Sequence, residues 1–396
     1  MKILVLSPRL PHAQVVGGHG IVYQRLRRLA GRGHDIGLAV FAQPDDAAHL
    51  PEWKGLLRET VIVPAPPRRH GVLRALASPV PAIFAGFRSE AMIRAAGQLA
   101  VQGGYEIALA EFGVMGQHLH RNPHLPAVRK VISVHQCHTL AAQRALSLGS
   151  GPLRALAARL QLARLEPYEF GMYRCADHLL ALTPEVRMGM LQRAPSLRIS
   201  VIPSGVDTVY FRPGSPHPKE QALVFTGDFT DEANADAALW FIRDVWPRLA
   251  AGRSDLVFYL VGPRPPPALV QAGERDPRIV VTGEVDDIRP YLAKAMVFVC
   301  PNRMGSGMRG KILQAMAAGV PVVSTTLGAE GIPIQMGDDG FLADTAEIMA
   351  QYAGLLLEDE SLRASVSAQA RAMVSERFSW ERGVDQLEHV LQETVA

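Results

Sequence analysis

The residues with the most chemistry in them lie between positions 300 and 330, CPNRMGSGMRGKILQAMAAGVPVVSTTLGAE. Val297, Phe298 and Val299 predict a buried strand that Pro301 and Asn302 end. Gly305, Gly307 and Gly310 surround Ser306, and the spacing of Met308, Ile312, Leu313, Met316 and Ala317 predicts an amphipathic helix from about Met308. Gly319 and Pro321 stop that helix, and Val322 and Val323 predict the next parallel strand. A strand, glycine turn and helix in this order aim free amides and the positive end of a helix dipole beyond the strand, which suits an anionic ligand. Arg309 and Lys311 add two cations to the first turn, where a purely structural helix more often carries acids. A second candidate is His135, at the C-terminal end of a strand predicted over residues 131–135, with His138 beside it. Ligand groups of doubly wound sheets collect at that edge, although a lone histidine is more often structural. On these residues alone, a glycine-rich turn of any doubly wound domain remains the alternative.

The loop resembles the donor-sugar loop of the retaining nucleotide-sugar glycosyltransferases of family four, which have the two-Rossmann-domain GT-B fold. Their pattern is Glu, seven residues, Glu, then Ala-Met-Ala-x-Gly-x-Pro-Val-Val. Residues 315–323 match its second half, while Ser306 and Gln314 stand where the two glutamates would be. In the family the second glutamate binds the nucleotide ribose, and the Gln314 amide still offers an acceptor and two donors. The resemblance extends over nearly the whole chain and is most specific from Gly283 to Gly331. Gly17 and Gly18 resemble the Gly-Gly turn whose amides face the donor diphosphate across the interdomain cleft. His135 resembles the histidine that contacts the donor sugar. Residues 281–288, with Val285 and Ile288, resemble the turn whose main chain reads the nucleobase. Many relatives clamp the diphosphate with an Arg and a Lys after the glycine at 227, but here Asp228, Asp231 and Glu232 follow it. The helix start from Gly307 through Met308 to Lys311, with Arg309, is the expected substitute.

These residues need two parallel sheets to position them. The fold expected is α/β, two Rossmann-like doubly wound domains facing across a cleft. The N-terminal acceptor-side domain is expected over 1–213, the donor-binding domain over 214–379, and a helix from about 380 to 396 packing back on the first. Residues 2–6 are nearly all apolar, the mark of a strand buried on both faces. Residues 17–20 precede a helix with Ile21, Val22, Leu26 and Leu29 at helical spacing, and Tyr23 stands where a dinucleotide fingerprint needs glycine. Residues 213–220 have linker composition.

Composition sets the outer bounds. The chain of 396 residues is 48% hydrophobic and 20% charged, ample for two or three packed domains. It has no apolar run of bilayer length, and Ser7, Pro8 and Arg9 interrupt the N-terminal run too early for a secretory signal, so a cytoplasmic location is expected. Its 3 cysteines, Cys137, Cys175 and Cys300, fit neither a disulfide framework nor a zinc cluster, and no metal, structural or otherwise, is expected. Up to residue 150 there are 17 Lys and Arg against 8 Asp and Glu, a balance of +9; the remainder holds 24 against 30, or −6. The basic half suits an anionic acceptor or membrane surface, or is simply a set of solvated arginine-rich faces. Residues 66–88 mix cations with Ile83, Phe84 and Phe87 and are the candidate for contact with the inner membrane surface, against a loop and helix packed on the domain. No motif reads bases, so nucleic acid is not an expected partner.

The resemblance thus implies a metal-independent retaining transferase with no cofactor beyond its UDP- or GDP-linked sugar donor, and a glycan, lipid-linked or small-molecule acceptor. In the family the leaving diphosphate helps deprotonate the acceptor, so positive charge on that diphosphate is the main catalytic device. The second reading is a nucleotide-sugar-binding or regulatory protein that has lost catalysis, suggested by the two replaced glutamates and the missing basic pair. A phosphorylase or epimerase on the same fold finds no matching motif.

Overall fold

The computed structural model describes residues 1–13, 17–66, 80–147, 152–214 and 220–396. The chain forms two compact units, Met1–Pro203 with Glu381–Ala396, and Ser204–Trp380. The first is built on a parallel seven-stranded sheet of β1 (Lys2–Ser7), β2 (Asp35–Phe41), β3 (Glu59–Val63), β4 (Ile107–Glu111), β5 (Arg129–Val134), β6 (His178–Ala181) and β7 (Ile199–Val201). Their order is β3-β2-β1-β4-β5-β6-β7. The near-continuous apolar run of β1 has a direct cause. Leu4 and Leu6 enter the core on one face with Ala108, Ala110 and Ile132, while Ile3 and Val5 enter the other with Ile107, Leu109 and Val131.

The helix Trp380–Val395 closes the second face. Val384, Leu387 and Leu391, at helical spacing, are fully buried in the core of β1 and β4. Around them Arg28 meets Glu381 at 2.9 Å, and Arg32 meets Asp385 at 2.7 Å and Glu388 at 2.8 Å. These surface pairs set the register of the helix more than its stability.

The second unit has a parallel six-stranded sheet of β8 (Ala222–Thr226), β9 (Val257–Val261), β10 (Ile279–Gly283), β11 (Val297–Cys300), β12 (Val322–Ser324) and β13 (Phe341–Leu342), in the order β10-β9-β8-β11-β12-β13. The chain passes from the first unit to the second between Pro203 and Ser204, ahead of the expected linker. Residues 204–213 go with the second unit because Phe211 packs on its core and Arg371 bonds the carbonyls of Thr208 (3.3 Å) and Phe211 (3.2 Å). Most of the expected linker, 215–219, lies outside the described residues.

In both sheets the strand order reverses once, between β1 and β4 and between β8 and β11. Loops that leave the carboxyl ends of such a pair diverge and open a crevice, the usual ligand place of this architecture. The loop of residues 301–309 follows β11, and Phe112 follows β4.

Residues 67–79 of the proposed membrane segment lie outside the described residues. In the described part Phe84 is fully buried, 5.0 Å from the Tyr168 ring, Phe87 packs partly on the same core, and Ile83 is exposed. Among the described residues no helix is long and apolar enough to cross a membrane.

Candidate functional site

Two clusters stand at the two switch points, one in each unit. In the first unit Glu111 ends β4 and its partner Ser133 lies next to it on β5, two residues before His135. Glu111 is completely buried, and its Oε2 lies 2.8 Å from His135 Nε2. Arg25, on the helix Gly18–Gly31 and equally buried, reaches in from behind. Its Nη1 lies 3.7 Å from Glu111 Oε1 and donates to Ser133 Oγ at 3.1 Å, while Nη2 donates to the Ile202 carbonyl at 3.0 Å.

Burial works against the Glu111 charge, but the His135 hydrogen bond and the Arg25 guanidinium outweigh it and hold the carboxyl down at about 2. Burial pushes His135 below its ordinary value although Glu111 opposes this. A neutral His135 beside an ionised carboxylate carries its proton on Nε2, which leaves Nδ1 as an acceptor. That nitrogen faces Gly18.

Phe112 completes the arrangement. It has φ 72 and ψ 137, backbone that side-chain-bearing residues rarely adopt, at a cost of about 1–3 kcal/mol. The turn lays its ring on His135, with centroids 4.1 Å apart, and beside His19 at 4.5 Å. Burial, with His135 nearby, pushes His19 down to about 3, so it too is neutral. Gly17 has φ 68 and directly precedes the helix, a turn that favours glycine. Gly18 is glycine for want of room, since a Cβ there would lie 2.8 Å from Phe112 Cε1 and 3.0 Å from His135 Nδ1. Gly18→Ala is therefore expected to cost about 1–3 kcal/mol and displace His135. A melting temperature and turnover both equal to the parent's would refute this.

In the second unit the helix Gly310–Ala317 begins without a side-chain cap and without an acidic residue in its first turn. The helix starts two residues later than the periodicity from Met308 predicts, because Gly307, at φ 97, prolongs the turn. Met308 packs against the core, Ser306 is buried, and Gln314 is half-buried. Lys311 leaves the first turn toward β8. Its Nζ donates to Asn234 Oδ1 at 2.7 Å, lies 4.4 Å from the centroid of Phe225, and would stand 3.0 Å from a Cβ at Gly227. Burial pushes this ammonium down to about 8.

Arg309 behaves differently from Lys311. Its guanidinium folds back on its own loop, donating to the Gly307 carbonyl at 2.5 Å and the Met304 carbonyl at 2.8 Å, and lies 3.6 Å from Glu330. Glu330, almost wholly buried, also accepts from the Gly307 amide at 2.7 Å. A carboxylate thus enters this loop from the segment after β12. The acids after Gly227 are engaged locally: Asp228 binds Thr230 and Arg264 (2.8 Å), and Asp231 caps the helix Glu232–Trp240.

The structure thus brings Gly17, Gly18 and His135 together in one unit, and Ser306, Gly307, Met308, Arg309, Lys311 and Gln314 in the other. Val285 and Ile288 stand apart after β10, with β9 and β8 between that strand and β11, and both pack partly on the core. Glu111, Arg25, Phe112, Asn234 and Glu330 were not singled out from the sequence. Only Glu111 carried a signal, since residues 106–111 read as a strand from their apolar run and Glu111 is its last residue.

Comparison with known proteins agrees with this architecture. A family profile described as Glycosyltransferase Family 4 matches residues 16–210, and one described as Glycosyl transferases group 1 matches residues 220–359. The chain is 29% identical over 290 residues to a D-inositol 3-phosphate glycosyltransferase of Segniliparus rotundus, covering 64% of this chain and 59% of that protein. It spans about three fifths of the length of such curated relatives. In fold it is similar to sucrose-phosphate synthase from Thermosynechococcus elongatus, with TM-score 0.76, 18% identity and coverage of 99% and 98% of the two chains. It is likewise similar to Anabaena HepE in complex with UDP-glucose, with TM-score 0.68, 16% identity and coverage of 99% and 100%. With one profile on each of its two parallel α/β units, this chain belongs to the family-four glycosyltransferases and has the GT-B type of fold.

Proposed function

We propose that this chain moves a sugar, with retention and without a metal in the chemistry, from a UDP- or GDP-linked donor to a hydroxyl acceptor in the cytoplasm. The observation that carries the reading is the uncapped helix start at Gly310, with Lys311 turned to the β8/β11 switch point. Amides and an ammonium there are preorganised for a diphosphate, whose charge grows as the sugar departs. Ser306 and Met308 offer main-chain contacts, Gly307, whose amide is bonded to Glu330, shapes the turn between them, Gln314 offers the ribose contact, and Val285 and Ile288 offer main-chain contacts to the base. Arg309 holds the loop closed over Glu330 and adds positive potential. In the other unit Gly17 and Gly18 offer amides to the diphosphate, and His135 Nδ1 accepts from a sugar hydroxyl.

The HepE complex with UDP-glucose supports a nucleotide-sugar donor, and the inositol-phosphate relative supports a polyol acceptor beside the glycan and lipid-linked ones. Nucleotide release from a mixture of UDP and GDP sugars, with candidate polyol and glycan acceptors, tests the reading. Release above the hydrolysis background is expected. Tight nucleotide-sugar binding with no release would favour the second reading, a binding or regulatory protein, which Ser306 and Gln314 in place of the glutamates suggest.

Lys311→Met is expected to weaken nucleoside-diphosphate binding by about 1.5–3 kcal/mol, the range for hydrogen bonds to a charged group. The free ammonium titrates at about 8 and the bound diphosphate favours its charged form. Above that pH binding must take up a proton, so affinity falls by up to about tenfold per pH unit. Calorimetry at pH 7 and pH 9 measures it. An equal fall in the Met variant would assign the pH dependence to another group.

A further inference from the structure

Away from His135 and the donor loop, the first unit holds a cluster that the transfer reaction does not use. His12 lies in the loop after β1, and Asp45 and His49 lie in the segment after β2. The two histidine rings are stacked face to face, with centroids 3.6 Å apart and planes 6° from parallel. Aromatic rings disfavour a full sandwich, so this stack is an arrangement that the two rings can leave at little cost. His12 is 5% exposed, and neither of its ring nitrogens has a hydrogen-bond partner among the described residues. A buried polar group left so is costly and calls for a partner that the described residues do not supply. Its Nε2 faces the Asp45 carboxylate at 3.6 Å, beyond a hydrogen bond but within ion-pair range.

We propose that His12, Asp45 and His49 form a binding site for a divalent transition-metal ion of the zinc class. One ligand atom from each of the three residues lies within 4.8 Å of the others. Around a tetrahedral ion with bonds of about 2.1 Å the ligand atoms stand roughly 3.4 Å apart and each imidazole plane contains the ion, so binding requires the two stacked rings to part and tilt toward a common point. Two imidazoles and one carboxylate suit zinc, cobalt or nickel better than magnesium or calcium, which prefer oxygen alone.

A supporting contact is already in place behind His49. Its Nδ1 lies 2.9 Å from Glu52 Oε1, and Glu52 Oε2 accepts from the Ala13 amide at 3.2 Å. A carboxylate on one ring nitrogen fixes the tautomer and leaves the other, Nε2, as the metal-binding lone pair. Arg9 opposes the ion, since its Nη2 lies 3.2 Å from Asp45 Oδ2. With neutral histidines the group still carries two carboxylates against one guanidinium, and the net charge favours a cation. The fourth position is left to water. The ion would tie the loop after β1 to the segment after β2, at the carboxyl edge of the sheet, and is structural to the transfer reaction.

Cobalt titration of untagged, EDTA-stripped protein tests the proposal. One equivalent of Co2+ is expected to give the visible d–d bands of a four-coordinate site, to be displaced by Zn2+ and to survive excess Mg2+. His12→Gln, His49→Gln and Asp45→Asn should each weaken binding at least tenfold, and Glu52→Gln about 10–100-fold, the usual effect of a supporting carboxylate. Asp45 is partly exposed, so Asp45→Asn remains informative if a histidine variant fails to fold. The proposal is overturned if the parent shows no such bands, or if the bands persist at unchanged affinity in folded Asp45→Asn and His49→Gln.

Discussion

Glu111→Ala is expected to lower the unfolding free energy by about 3–5 kcal/mol, the usual result of removing one partner of a buried ion pair. The effect is large because of what remains. Arg25 is 1% exposed and cannot shed its proton, so the variant keeps a guanidinium in the core with only Ser133 Oγ and the Ile202 carbonyl to receive it. His135 loses its Nε2 partner at the same time. Chemical denaturation followed by circular dichroism measures the loss, and a change below about 1 kcal/mol would mean that water reaches Arg25. The double variant Arg25→Met/Glu111→Leu should recover most of it, since replacing both charges by apolar groups removes the unpaired one.

The pH dependence has a definite sign. The folded carboxyl titrates at about 2 and an ordinary glutamate at 4.5. The stabilisation is therefore complete above about 4.5 and is lost as pH falls through about 2. Below that window parent and Glu111→Gln should converge in stability.

His135→Ala is expected to reduce turnover about 10²-fold or more while nucleoside-diphosphate affinity stays within a factor of about 3, because the proposed contact is to the sugar alone. The neutral ring offers Nδ1 as an acceptor, and Glu111 and the Phe112 ring hold it in place. A misplaced donor sugar loses its alignment with the acceptor hydroxyl even though the nucleotide is still bound. Glu111→Gln, where it folds, should show a smaller loss of the same kind, because an amide can present its oxygen to Nε2 but lacks the charge that orients the proton. Steady-state turnover and calorimetry on the same preparations decide this. Equal losses in affinity and turnover would make His135 a general packing residue of the unit.

The sequence by itself determined the strands and the loops that could bind anions. Residues 3–6 declare a strand covered on both faces, since only such a strand can bury successive side chains. The apolar spacing of 312–317 and the stops at Gly319 and Pro321 declare a helix whose N-terminus follows a glycine turn. These signals are local, set by the backbone period and by the φ range of single residues, so they survive without knowledge of the partners. His135 was legible for the same reason, as a polar residue at a strand's end.

Only the tertiary structure decided what those residues face. Arg25, Glu111 and His135 meet because β4 and β5 are neighbours and the helix Gly18–Gly31 lies across them. Periodicity does not encode strand order, so residues far apart in the chain offer no sign of a shared charge balance. Arg309 and Lys311, two residues apart and alike in charge, take opposite roles: the turn at Gly307 folds the guanidinium back on its own carbonyls, while the first helical turn sends the ammonium to Asn234. The left-handed backbone of Phe112 and the stack of His12 on His49 are equally silent in the sequence, because each is held by packing from segments that only the folded sheet makes adjacent.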